Sequence, residues 1–159
     1  MFLYIVRHGI AFEHDEWDGP DALRPLTDEG IEEARAVFER LRKQKKLQAE
    51  VIWSSPLKRA LQTAELAGAA LKLPVETVAE VEFMSLKELK EQLDKMDKLP
   101  DRLMLVGHEP GCGELIGDLL GDSHEDYALK KCGVALLKGS FERSGMKLEW
   151  KLKPKDILK

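Results

Sequence analysis

The chain has 159 residues, 43% hydrophobic and 34% charged, which suits one folded domain over residues 1–159 and excludes a disordered polyelectrolyte. A net charge of −4 argues against broad nucleic-acid binding, which needs a basic field. No apolar run approaches the roughly 20 residues that span a bilayer, so no membrane partner is expected.

The N-terminus enters a strand directly, without a basic leader or cleavage site, so no signal peptide is expected. The two cysteines, Cys112 and Cys132, form neither a close-spaced metal motif nor a disulfide framework. Reduced thiols and a cytoplasmic location are the default expectation. The basic clusters at Lys43-Gln44-Lys45-Lys46 and between Lys147 and Lys155 read as a solvated helix end and a solvated tail.

In chain order, residues 2–6 predict a first strand, followed by Arg7-His8-Gly9. A long polar loop spans residues 11–25, and long loops in compact domains are often functional. Thr27 caps a predicted helix over 28–46, with Asp28 and Glu29 in its first turn and a buried stripe at Ile31, Ala34, Val37, Phe38 and Leu41. Residues 51–53 predict a second strand. Ser55 is the expected N-cap of the next helix, with Pro56 at its first position and an end near Leu71. A weak strand follows over 75–81, then a Ser85-capped helix to Lys95.

Residues 102–106 predict a buried strand, and Gly107-His108-Glu109-Pro110 turns into a helix over 111–120. Residues 134–137 and 148–152 predict a hairpin around Ser144-Gly145. Strands alternating with helices imply an α/β fold, a three-layer sandwich with a mostly parallel central sheet and helices on both faces.

Three of these strand ends carry polar groups of one chemical theme. The first gives Arg7 and His8, the second Ser54, Ser55 and then Arg59, and the fourth Gly107, His108 and Glu109. Parallel strands place these ends on one sheet edge, where open α/β sheets bind ligands. Histidine can serve as a nucleophile at neutral pH, and arginine clamps phosphate through paired hydrogen bonds. Gly9 and Gly107 would let backbone approach a ligand closely.

Arg7-His8-Gly9, Arg24-Pro25-Leu26-Thr27 with Gly30, Ser55-Pro56 with Arg59-Ala60 and Gln62-Thr63, and Val106-Gly107-His108-Glu109-Pro110 occur in one order. This ordered set resembles the histidine phosphatase superfamily, the phosphoglycerate mutase-like proteins. The short chain, with no large insertion between Pro74 and Leu103, is most similar to the small SixA-type phosphohistidine phosphatases.

The resemblance implies that His8 is the nucleophile and is phosphorylated at Nε2. It implies that Arg7 and Arg59 hold the phosphoryl oxygens and that His108 binds another, as a cation. Water would then hydrolyse phospho-His8, with no metal and no other cofactor.

Larger relatives with alcohol leaving groups use a glutamate after the third strand as general acid, because an alkoxide needs a proton. Residues 79–88 here lack the glycine-rich, aromatic-glutamate-glycine pattern that marks it. Glu82 is the best candidate, against the alternative of a solvated or capping glutamate; Glu13 and Asp15 are others. Phosphohistidine needs such an acid less, since protonated phosphoimidazole can leave as neutral imidazole. The expected partner is therefore a protein carrying phosphohistidine, with a small phosphorylated substrate or a catalytically silent phosphoprotein-binding module as alternatives. His14 and His124 read as surface residues, although His14 could line the mouth of the site. Trp17 reads as a substrate contact or lid anchor, and Trp53 and Trp150 as packing.

Overall fold

Six strands, β1 (Phe2–Arg7), β2 (Val51–Ser54), β3 (Val75–Thr77), β4 (Arg102–Gly107), β5 (Val134–Gly139) and β6 (Met146–Leu152), form one sheet in a computed structural model describing residues 1–159. Their order is β3-β2-β4-β1-β5-β6. The first four are parallel, and β5 and β6 add an antiparallel hairpin at one edge.

Side chains alternate across each strand, so every central strand feeds two cores. Tyr4, Val6, Ile52, Met104, Val106, Val134 and Leu136 face one side, against α1 (Asp28–Lys43), α2 (Lys58–Leu71) and the short α5 (Pro154–Ile157). Leu3, Ile5, Trp53, Leu103, Leu105, Ala135 and Leu137 face the other, against α3 (Leu86–Asp94) and α4 (Gly111–Leu120). This is the three-layer α/β sandwich. No helix is long and apolar enough to cross a membrane.

The expected elements are present, with informative shifts. Thr27 caps α1 by accepting from the Gly30 N–H, and Ala34, Val37, Phe38 and Leu41 are its buried stripe. The helix stops at Lys43, short of residue 46, because Lys45 turns left-handed (φ 58°). Ser55 is not the cap of α2. That helix begins two residues later, after Leu57, whose N–H donates to the Ser55 hydroxyl (3.2 Å). The weak strand predicted over 75–81 is paired only at 75–77; Ala79–Val81 forms a 3-10 turn that tucks Val81 into the core. Helix α5 has no counterpart among the expected elements because four residues carry too little periodicity.

Two glycines fix how the loops sit. A Cβ on Gly30 would lie 2.1 Å from the Ile10 carbonyl oxygen, so only glycine lets α1 press against the chain leaving His8. At Gly107 a Cβ would meet Met84 Cε at 2.6 Å and Val81 O at 3.0 Å. That close approach serves packing against the 79–84 segment, and not a ligand as the sequence suggested.

Candidate active site

The strand register assembles the site. Arg7 pairs with Gly107, and Ser54 pairs with Val106, so the ends of β1, β2 and β4 finish level with one another. The next residue of each, His8, Ser55 and His108, therefore projects from one edge. The His8 N–H donates to Gly107 O (2.9 Å), and His8 O accepts from Cys132 N (3.0 Å). The nucleophile candidate is thus pinned between β4 and the segment entering β5.

His8 Nδ1 lies 2.7 Å from Gly9 O. A carbonyl can only accept, so Nδ1 carries the proton and Nε2 keeps its lone pair. Burial lowers the His8 pKa from 6.5 to about 3, assisted by His108, Arg59 and Arg7 and opposed by the Gly9 bond. His8 is accordingly a neutral imidazole at physiological pH, the form a nucleophile needs. Its ring and that of His108 are 5.3 Å apart between centroids.

Thr63 underpins this arrangement. Its hydroxyl accepts from Gly9 N (3.0 Å) and donates to Arg59 O (2.8 Å), tying the His8 turn to the first turn of α2. Gln62 accepts from Leu26 N at 2.8 Å and holds the end of the long loop.

Arg7, Arg59 and His108 lie close to His8, and Arg24 joins Arg59 through Asp21. Arg7 Nη1 donates to Leu129 O (3.0 Å). Arg59 Nη1 donates to Asp21 O (3.0 Å), and its Nη2 lies 3.3 Å from Asp21 Oδ2. Arg24 donates through Nε to Asp21 Oδ1 (2.9 Å) and through Nη1 to Phe12 O. His108 Nε2 is 2.8 Å from Ser55 Oγ, the hydroxyl that also accepts from Leu57 N.

Three buried side-chain nitrogens have no protein partner: Arg7 Nε, Arg59 Nε and His108 Nδ1. Buried donors are normally satisfied. All three belong to residues singled out from the sequence, and each is left free to bond a ligand.

His108 is shaped by the same burial as His8. Burial first, then the nearby arginines, lower its pKa to about 4, opposed by Asp21. Without an anion it is neutral, and with Nε2 facing the Ser55 hydroxyl its Nδ1 can carry the proton.

The sequence reading assigned no role to Asp21, Arg24 or Glu109. Asp21 joins Arg59, Arg24 and His14 (3.4 Å), and its carboxyl is held below the usual range chiefly by the Arg24 hydrogen bond. Nothing distinguishes Asp21 among the carboxylates of the loop in sequence. Arg24 was visible as part of Arg24-Pro25-Leu26-Thr27. Glu109 accepts from Leu129 N (2.6 Å) and Gly113 N (3.0 Å), so it anchors the carbonyl that orients Arg7.

The acid candidates are not brought equally close. Glu82 ends the Ala79–Val81 turn, half-buried and without an ion pair, but its charge reaches Arg59. Glu13 is spent on Lys131 (3.5 Å) and Asp15 is exposed. His14 reaches the site only through Asp21, and His124 is on the surface. Trp17 bonds its own loop at Pro20 O, Trp53 bonds Glu76, and Trp150 packs on Tyr4. Both cysteines are buried and their thiols are pushed up by burial.

The family model of the histidine phosphatase superfamily (branch 1) matches residues 3–121. A protein of Picosynechococcus sp. described as uncharacterized is 37% identical over 147 residues, covering 90% of this chain and 88% of that one. Among solved structures, the protein histidine phosphatase SixA complexed with tungstate superposes with a TM-score of 0.80 at 26% identity, over 100% of both chains. The mycobacterial glucosyl-3-phosphoglycerate phosphatase shares the fold, with a TM-score of 0.71 at 18% identity over 94% of this chain and 97% of that one.

Proposed function

This chain belongs to the histidine phosphatase superfamily, and we propose that within it the protein is a metal-independent phosphatase that removes phosphate from phosphohistidine in a protein. The observation that carries the reading is the pairing of a neutral His8, Nε2 unencumbered, with three buried unpartnered donors on Arg7, Arg59 and His108.

The Nε2 lone pair of His8 attacks phosphorus in line. The substrate P–N bond breaks, its electron pair stays on the departing ring, and that ring leaves as neutral imidazole when its other nitrogen carries a proton. His8 becomes a phosphorylated imidazolium whose Nδ1–H still donates to Gly9 O. Arg7, Arg59 and His108 hold the three equatorial oxygens and stabilise the charge that builds on them. Water then attacks phosphorus, the P–Nε2 bond breaks with its electron pair returning to Nε2, and inorganic phosphate leaves with the water's protons, one of which passes to solvent, so that His8 is neutral again. The positive charge of the site comes from the protein, which is why no metal enters the scheme.

A small phosphate monoester is the second reading, favoured by a half-buried, unpaired Glu82 as proton donor and by the shared fold of a mycobacterial glucosyl-3-phosphoglycerate phosphatase. A silent binding module has no use for a nucleophile held in one tautomer.

The test compares turnover of a histidine-phosphorylated peptide with a panel of small phosphate esters, chelator present, for wild type, His8→Ala and Glu82→Gln. Phosphohistidine turnover that is lost in His8→Ala and survives Glu82→Gln supports the proposal. Faster ester turnover that depends on Glu82 replaces it with the small-molecule reading. Phosphate binding without any turnover leaves the binding module.

A further inference from the structure

Beside His8 lies a second concavity, of about 410 Å³, that no step above uses. Arg7, Lys130, Lys131, Lys153 and Lys155 line it, with Glu33 the one carboxylate among them. The fold makes this cluster. Lys130 and Lys131 sit in the segment that holds the Arg7 and His8 backbone, and Lys153 and Lys155 arrive from the turn after β6. The tail that reads as solvated in sequence is folded back against the catalytic edge.

A separate cleft of about 490 Å³, partly walled by the 123–128 segment, is lined by Glu109, Glu114, Asp118, Glu125 and Asp126. The surface is therefore polarised, with a basic cleft on Arg7 and the turn after β6 and an acidic one on α4, in a chain whose net charge is −4. Around the mouth, the segments that carry Asp21 and Glu82 expose Phe12, Leu23 and Phe83, three of the four exposed large apolar side chains.

We infer that the basic pocket docks an acidic protein surface adjoining the phosphorylated residue. Charge complementarity selects the partner: lysines attract carboxylates, and the acidic cleft repels them and so sets the orientation. A small ester has no carboxylate surface to engage Lys130, Lys153 and Lys155 around a cavity of this size, with Lys131 already paired to Glu13, nor an apolar face for Phe12, Leu23 and Phe83. The inference rests on the phosphohistidine reading and names the kind of protein that presents the group.

The experiment uses three probes: an acidic peptide with one phosphohistidine, a neutral peptide of the same length with one phosphohistidine, and free phosphohistidine. Lys130→Glu/Lys155→Glu reverses two exposed lysines whose side chains make no hydrogen bond or ion pair. Wild type should prefer the acidic peptide. In the variant, kcat/KM for the acidic peptide relative to free phosphohistidine should fall about tenfold or more, mainly through KM. Raised salt should erode the wild-type preference in the same way.

Equal kcat/KM for acidic and neutral peptides in wild type would overturn the proposal, as would an equal loss on all three probes in the variant. Binding of the unphosphorylated acidic peptide is read alongside by fluorescence anisotropy. If no phosphohistidine probe turns over, the phosphatase reading fails. The docking inference is then judged on that binding alone: binding abolished by the double reversal upholds it, and binding unchanged or absent overturns it.

Discussion

Acidification should destabilise this protein through His8 and His108. His8 and His108 take up protons in the folded chain only near pH 3 and 4, against 6.5 when unfolded. The unfolded chain binds more protons throughout that interval, so stability is present above 6.5 and is lost as pH falls. One unit below 6.5, each histidine favours the unfolded state by about 1.4 kcal/mol, or about 2.8 kcal/mol for the pair. Against a total of roughly 5–15 kcal/mol, that is a large share.

The assay is urea unfolding at about pH 7.5 and about pH 5.5, for wild type, His8→Asn and His8→Asn/His108→Asn. The substituted asparagine amide can still donate to Gly9 O, and it does not titrate. The difference between the two pH values should shrink by about 1.4 kcal/mol in the single variant and by about 2.8 kcal/mol in the double variant. The same pH dependence in all three proteins would refute the claim that burial keeps these imidazoles neutral.

Other consequences come from the same contacts. Arg59→Ala should lower kcat by about 100- to 1000-fold on any substrate the enzyme turns over, measured in steady state, with little change in urea midpoint. Thr63→Ala leaves the buried Gly9 N–H without its acceptor and should cost about 1–3 kcal/mol of stability by urea unfolding, with a loss of activity as His8 loosens. Glu109→Gln weakens the anchor of Leu129 and so the aim of Arg7; kcat/KM should fall about tenfold or more while circular dichroism is unchanged, and a change in stability alone would deny it a positioning role. Asp21→Asn removes the carboxylate bonded to Arg59 and Arg24, and inorganic phosphate should bind tighter by up to about fivefold in calorimetry.

Much of this site was legible because its residues sit at strand ends. Parallel strands must finish on one edge, so Arg7, His8, Ser55 and His108 were bound to meet once 2–6, 51–53 and 102–106 were recognised as strands. Helix α4 was read at its observed bounds because a turn-forming glycine and a long apolar stripe both mark it. Contacts between segments distant in sequence were not legible. Ser55 looks like a helix cap locally, and only the fold shows its hydroxyl on His108. Asp21 gains its role from α2 coming across to it, and Lys153 and Lys155 gain theirs from α5 packing beside α1. The charge of His108 depends on burial, which a motif does not carry.

The central claim is a covalent phosphoryl group on His8 Nε2. A peptide bearing radiolabelled phosphohistidine, mixed rapidly with enzyme and quenched in alkali, tests it most directly. The account predicts transient label on the enzyme, stable to alkali and lost in acid, mapping to the proteolytic fragment that contains His8 and absent from His8→Ala. Turnover without label, or label on any other residue, would contradict it.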